Sequence, residues 1–234
     1  MIITIDGPAG SGKSTAARKL AAWLELPYLD TGAMYRAIAH QVMREGVDTD
    51  DPDALVRLAE SMDLVLDCGP THTRVKVNGH DVSEAIRAME VSAVSAKIAR
   101  VQRIRRLLAK KQRDIGAQLD SLVAEGRDQG SVVFPDADVK FVLDASIDMR
   151  ARRRCEELAA DGEEFDLEAI KEALASRDKS DAVEWEPLLE PGAAVRIDTT
   201  RLTISQVVER LLAHIPRAHG TADKTGEGVP RNRA

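Results

Sequence analysis

Aromatic side chains are scarce, at 3% of the 234 residues. A packed core must therefore be built from Leu, Val, Ile and Ala. Cysteine is nearly absent: Cys68 and Cys155 lie far apart and form no C-x-x-C pair. That excludes a disulfide framework and a thiolate zinc site, and it fits a reducing compartment. His40, His72, His80, His214 and His219 show no metal-ligand spacing and read as structural or surface residues. No apolar run is long enough for a membrane span, and with a strand pattern starting at residue two no secretory leader is expected. A soluble cytoplasmic protein without a membrane partner is expected. Positive charge is not in excess either, since the net charge is −6, which gives no support for bulk nucleic-acid binding.

What the chain does have comes at its start. The β-branched run Ile2-Ile3-Thr4-Ile5 ends at Asp6 and breaks into Gly7-Pro8-Ala9-Gly10-Ser11-Gly12-Lys13-Ser14-Thr15. Gly7, Gly12, Lys13 and Ser14 fill the template G-x-x-x-x-G-K-[ST] between a strand pattern and a helix pattern. Glycines let the backbone turn its N–H groups around a phosphate, where a Cβ would obstruct. A helix starting near Lys13 adds unpaired N–H groups and its positive dipole end. Lys13 would reach the β- and γ-phosphates of ATP, and the Ser14 hydroxyl would hold Mg²⁺.

Downstream, apolar spacing predicts a helix over about 13–25, a short extended run Pro27–Asp30, and a helix from Thr31 towards Arg44. Asp51-Pro52 opens another helix as N-cap and first-turn proline. Between about 63 and 83 the period shortens to two, with turn signals at Gly69-Pro70 and Asn78-Gly79, which predicts a small antiparallel sheet. A long helical region, broken once or twice, follows over about 83–118, and its stretch from Val91 to Arg113 carries eight Lys or Arg and no acid. Buried strands are expected at Leu122–Glu125, Val139–Asp144 and Ala194–Asp198. Helices are expected at Arg150–Ala160, Asp166–Ser176 and about 203–214, with an acidic loop at 161–164 and a disordered tail at 217–234. Five short apolar strands alternating with helices give the fold class: α/β, a five-stranded parallel sheet flanked by helices, with an inserted antiparallel sheet and a helical lid. Asp6, Asp30, Glu125 and Asp144 end four of those strands, at the edge where ligands of such sheets bind. Asp144 and Asp198 read as cap or turn residues.

A P-loop alone leaves the reaction open. The N-K-x-D segment that reads guanine in GTPases is missing, and little length remains for the extra domains of a motor ATPase. Arg36, Arg105, Arg127, Arg153, Arg154 and Arg177 lie in segments that can surround one cleft. A kinase acting on a phosphorylated small molecule needs such a set, to align and neutralise two phosphoryl groups. Two alternatives stand beside this: a related P-loop kinase acting on UMP, AMP or shikimate, and a non-catalytic nucleotide-binding or nucleic-acid-binding regulator built on the basic helix.

The segments Ile5–Ser14, Asp30-Thr31-Gly32-Ala33-Met34-Tyr35-Arg36, Asp81-Val82-Ser83, Gly126-Arg127-Asp128, Val132–Ala137 and Leu143–Ser146 occur in order and resemble the bacterial cytidylate kinase family. The resemblance runs from residue 1 to about 215. It implies ATP-dependent, Mg²⁺-dependent phosphorylation of CMP or dCMP; a monomer without a nucleic-acid partner is expected. It also implies one P-loop kinase domain over 1–216, with a monophosphate-binding insert at about 31–100 and a lid at about 150–185. Carried over by residue, Gly7 to Thr15 cradle ATP and Ser14 serves the metal. Thr31, Tyr35 and Arg36 line the monophosphate site, with Arg36 and Arg127 at phosphate. Arg105 and Asp128 read cytosine. Arg177 reaches phosphate from the lid, Asp181 accepts from the ribose, and Arg153 and Arg154 serve the ATP side. An arginine donates to O2 and N3 of cytosine while a carboxylate accepts from its amino group, so UMP should be rejected. The chain departs from the pattern in three places. Ala96 replaces a serine beside Ser95, and Gln102 replaces a proline. The lid segment Arg177–Leu188 carries Glu184 near the place of an arginine and is one residue short. Lys179 and Arg196 are the candidate replacements. An anion beside a bound monophosphate predicts weaker or altered monophosphate binding.

Overall fold

The computed structural model describes residues 1–160 and 166–216. The acidic loop and the tail expected from the sequence lie outside the described residues. From the N-terminus the chain forms β1 (Ile2–Asp6), α1 (Lys13–Leu24), β2 (Tyr28–Asp30), α2 (Thr31–Glu45) and α3 (Pro52–Ser61). Next come β3 (Leu64–Cys68), β4 (Thr73–Val77), β5 (His80–Asp81), α4 (Met89–Ile98) and α5 (Gln102–Leu119). The remainder is β6 (Leu122–Glu125), β7 (Val139–Asp144), α6 (Ile147–Ala160), α7 (Leu167–Trp185), β8 (Val195–Asp198) and α8 (Ile204–Leu212).

Strand β1 sits at the centre with both faces buried, Ile3 and Ile5 on one and Thr4 and Asp6 on the other. Ile3 pairs with Val123 of β6 on one side and Val139 of β7 on the other. The five-stranded parallel sheet has the order β2-β6-β1-β7-β8. Chain direction from β1 therefore diverges to either side, and the crevice at the strands' carboxyl ends is where such sheets take ligands. One face packs Ile5 and Phe141 against Leu20 of α1 and Val207 and Leu211 of α8. The other sets Leu29, Leu122 and Ala124 against Ala109 of α5 and Phe134.

The small sheet β3-β4-β5 is antiparallel, and Asn78 and Gly79, both at positive φ, make the two-residue turn into β5. It is fastened to β2: Tyr28 N donates to Gly69 O at 3.0 Å, and Thr73 Oγ1 donates to Tyr28 O at 2.6 Å. Beneath it Met34, Ile38, Leu55, Val75, Ile98 and Ile104 form a separate core with α2 to α5.

Helix starts follow local chemistry. Asp51 accepts from Asp53 N and Ala54 N with Pro52 in the first turn, and Asp30 caps α2 through Ala33 N. The long basic region breaks once its α4 segment ends at Ile98. Val101 turns extended before α5, with Gln102 in the first helical position. Helix α7 differs from expectation by continuing past Ser176 to Trp185. Asp144 and Asp198 accept from Ala145 N and Thr200 N, as the turn residues they were read to be.

Candidate active site

The glycine-rich loop leaves β1 with Gly7 at φ 140°, Gly10 at φ 75° and Gly12 at φ 87°, conformations that side chains disfavour. Lys13, the first residue of α1, is only 7% exposed, and its Nζ curls back to donate to Pro8 O at 3.2 Å. Burial, then the nearby Arg127 guanidinium, lowers its ammonium well below the usual lysine range, against the pull of Glu125. Among the described residues no carboxylate makes a direct ion pair with it, which leaves a buried cation free of direct pairing at the loop. Ser14 and Thr15 stand exposed at the helix start.

Three carboxylates from three strand ends surround this loop. Glu125 is fully buried; burial and the neighbouring Asp30 raise its carboxyl, while Lys13 and a hydrogen bond from the Ser14 side chain oppose that. The oxygen donors of Ser14 and Glu125 together suit a hard divalent cation that keeps most of its ligands from phosphate and water. Asp6 is buried too and accepts from Gln129 N and Gly130 N, both at 2.8 Å. It therefore clamps the turn after β6 to the root of the P-loop.

Burial drives the Asp6 carboxyl up from 3.8 to about 7. A raised folded-state value means stability that is complete below 3.8 and lost as pH climbs through about 7. Thermal melts of the nucleotide-free protein should fall between about pH 4 and about pH 7, and Asp6→Asn should flatten that fall relative to wild type. An unchanged slope in the variant would remove Asp6 as its source.

The arginines divide into two groups. In the first, Arg36 pairs with Asp30 at 2.8 Å, and Arg127 Nε and Arg177 Nε meet the same Asp181 oxygen at 3.0 and 3.3 Å. Thr31 lies beneath them, its hydroxyl donating to Glu125 O at 2.7 Å. In the second, Arg105 NH2 meets Asp128 at 2.7 Å, and Tyr35 is half-buried beside them with its phenol pushed up by desolvation and by Asp128. Lys13 feels Arg127, Arg177 and Asp181 electrostatically, so the P-loop and these two arginines share one field.

Arg153 reaches Gly10 O at 3.3 Å and Thr199 O at 2.8 Å, which ties α6 to the P-loop and to the end of β8. Arg154 pairs with Glu157 on an exposed face. Lys179 and Arg196 are exposed. Glu184 is not at Arg36: it pairs with Arg105, 2.5 Å away. Ser95 is turned into its own helix, donating to Ser92 O.

Arg150 was not among the sequence candidates. It is 6% exposed and donates to Ala145 O, to Ala9 O of the P-loop and to Asp178 of α7 at 2.6 Å. The spacing of Arg150, Arg153 and Arg154 on one helix face was the available signal.

A parallel sheet with a P-loop at its central strand, and arginines and acids converging on that loop, defines a P-loop phosphotransferase. Comparison with known proteins narrows the class. The family model described as cytidylate kinase matches residues 3–217, and the chain belongs to that family. It is 46% identical over 210 residues to the cytidylate kinase of Caldanaerobacter subterraneus subsp. tengcongensis, covering 89% of this chain and 92% of that one. Identity to the Geobacillus kaustophilus cytidylate kinase is 43% over 211 residues, covering 90% and 94%. Among solved structures, an uncharacterized protein from Eubacterium ventriosum superposes with a TM-score of 0.50 at 14% identity, over 92% of this chain and 97% of that one. That last likeness concerns the fold alone. No described helix is long and apolar enough to cross a membrane.

Proposed function

We propose that the protein transfers the γ-phosphoryl group of ATP to CMP or dCMP, giving ADP and CDP or dCDP, as a cytoplasmic monomer. Membership of the cytidylate kinase family carries this reading. The convergence of Lys13, Arg127, Arg177 and the Arg105–Asp128 pair on one crevice supports it. The monophosphate oxygen is already a nucleophile, so positioning and charge neutralisation supply the rate.

Each residue then has a role. The backbone from Gly7 to Thr15 cradles the ATP phosphates, and Lys13 follows the γ-phosphoryl as its charge spreads. Ser14 would hold Mg²⁺ with Glu125 behind it; when bound, the ion neutralises phosphate charge and orients the leaving group. Arg36, Arg127 and Arg177 leave their carboxylates to hold the monophosphate, with Thr31 and Tyr35 forming its wall. Arg105 and Asp128 read the base and Asp181 the ribose. Arg153, and Arg154 beyond it, position the ATP side. The segment over about 31–100 forms the monophosphate-binding region and about 150–185 the lid, whose closure excludes water.

The test is ADP release from ATP and Mg²⁺ with CMP, dCMP, UMP, AMP, GMP and shikimate in parallel. Turnover confined to CMP and dCMP is expected. Turnover on another acceptor alone, or on none, overturns the reading. Asp128→Ala should lower the preference for CMP over UMP in kcat/KM by about tenfold or more, since a buried hydrogen-bond partner is lost. An unaltered preference would take Asp128 out of the base site.

A further inference from the structure

The amino nitrogen of Arg105 lies between two carboxylates: Asp128 Oδ2 at 2.7 Å and Glu184 Oε2 at 2.5 Å. Asp128 comes from the turn after β6 and Glu184 from the last turn of α7, so two elements distant in sequence meet at one nitrogen. All three side chains are largely shielded, at 17%, 11% and 23% exposed.

Both carboxylates are held in place. The other Asp128 oxygen accepts from Gln129 Nε2, which also donates to Gln112 Oε1. Ser131 Oγ donates to the Glu184 carbonyl at 2.5 Å, and the next residue, Trp185, is buried against Val142 and Leu188. Desolvation and the facing Asp128 raise the Glu184 carboxyl, while Arg105 opposes that. One guanidinium between two acids leaves a local excess of acceptors.

This geometry matches a particular chemical group. The two carboxylate oxygens lie no more than about 5.2 Å apart, the sum of their distances to the shared nitrogen. A planar amino group with both hydrogens donated places its two acceptors about 5 Å apart, given ordinary hydrogen-bond lengths and trigonal geometry. In this structure the Arg105 amino group fills that seat.

We propose that Glu184 is a specificity-determining residue: with Asp128 it accepts the two hydrogens of the exocyclic amine of the acceptor base. The proposal rests on the reading of Arg105 and Asp128 as the base site. On binding, the base amine takes the seat, and Arg105 turns its N–H groups to the ring acceptors. A base with a carbonyl at that position sets its lone pairs against two carboxylates and is rejected more strongly than one acid alone would manage.

The experiment compares kcat/KM for CMP and UMP in wild type, Glu184→Gln, Glu184→Ala and Asp128→Ala, each checked for folding by thermal melt. The expected result is a CMP/UMP ratio reduced about tenfold in Glu184→Gln, with UMP itself gaining, because the amide can turn its NH2 to the carbonyl. Glu184→Ala should reduce the ratio without the gain on UMP. If the ratio holds in both Glu184 variants but falls in Asp128→Ala, Glu184 has no part in base choice while the base site stands. If it holds in all three, the base-site reading itself fails. A lower KM for CMP at constant ratio in the Glu184 variants also overturns the proposal, and makes Glu184 a competitor for Arg105.

Discussion

Lys13→Ala should cut phosphoryl transfer by a factor on the order of 10³, while the dissociation constant for CMP stays within about threefold. The ammonium is held at the root of the P-loop, on Pro8 O, whereas Arg105 pairs with Asp128, so on the proposed roles the substitution touches the ATP side and not the base site. Its electrostatic contribution grows as charge moves onto the bridging oxygen, so the loss falls on turnover more than on binding. The same substitution should leave the melting temperature of the empty protein unchanged or higher. A buried ammonium whose proton affinity is depressed by burial and Arg127 is a destabilising feature until a phosphate arrives. Single-turnover rates with titration calorimetry for CMP separate the two quantities. Turnover within tenfold of wild type, or CMP affinity lost in parallel, would sink the assignment.

Gly7→Ala should have the largest effect on stability. A Cβ at this position would lie 2.0 Å from the Leu143 carbonyl oxygen, on the backbone of β7, and φ is 140°. Neither atom belongs to a flexible side chain, so β1 and β7 must part at the point where the P-loop begins. Overpacking and the disfavoured backbone together cost roughly 3–5 kcal/mol, a large share of ordinary domain stability. The melting temperature should fall by about 10 °C or more, with ATP binding lost even where the protein remains folded. By contrast, Gly46→Ala meets nothing within 4 Å and carries only the strain of its φ of 66°. If both variants melt alike, the steric argument is wrong.

Much of this was legible in the sequence because it is locally encoded. The strand–loop–helix at 2–24, the Asp51-Pro52 helix start and the Asn78-Gly79 turn each depend on residues a few positions apart. The length of α7 was not legible. Residues Arg177 to Trp185 have no apolar stripe, and what holds them is tertiary: Asp178 on Arg150, Asp181 on Arg127 and Glu184 on Arg105. The pairing of Arg105 with Asp128 was not legible either, since 23 positions separate them and nothing local links them. Arg150 was hidden for the same reason, as its partners Ala9 and Asp178 are far away in the chain. The partner of Glu184 could be found only by folding the chain.

Those three ion pairs of α7 have a consequence for the small anions of the cell. Arg150, Arg127 and Arg105 come from three separate segments, and each already rests on a carboxylate of the same helix. A lone inorganic phosphate entering the crevice would have to trade one anion for another at a single arginine, with little net gain. An anion that takes any one of these arginines displaces a carboxylate of α7 and so loosens that helix at the same point.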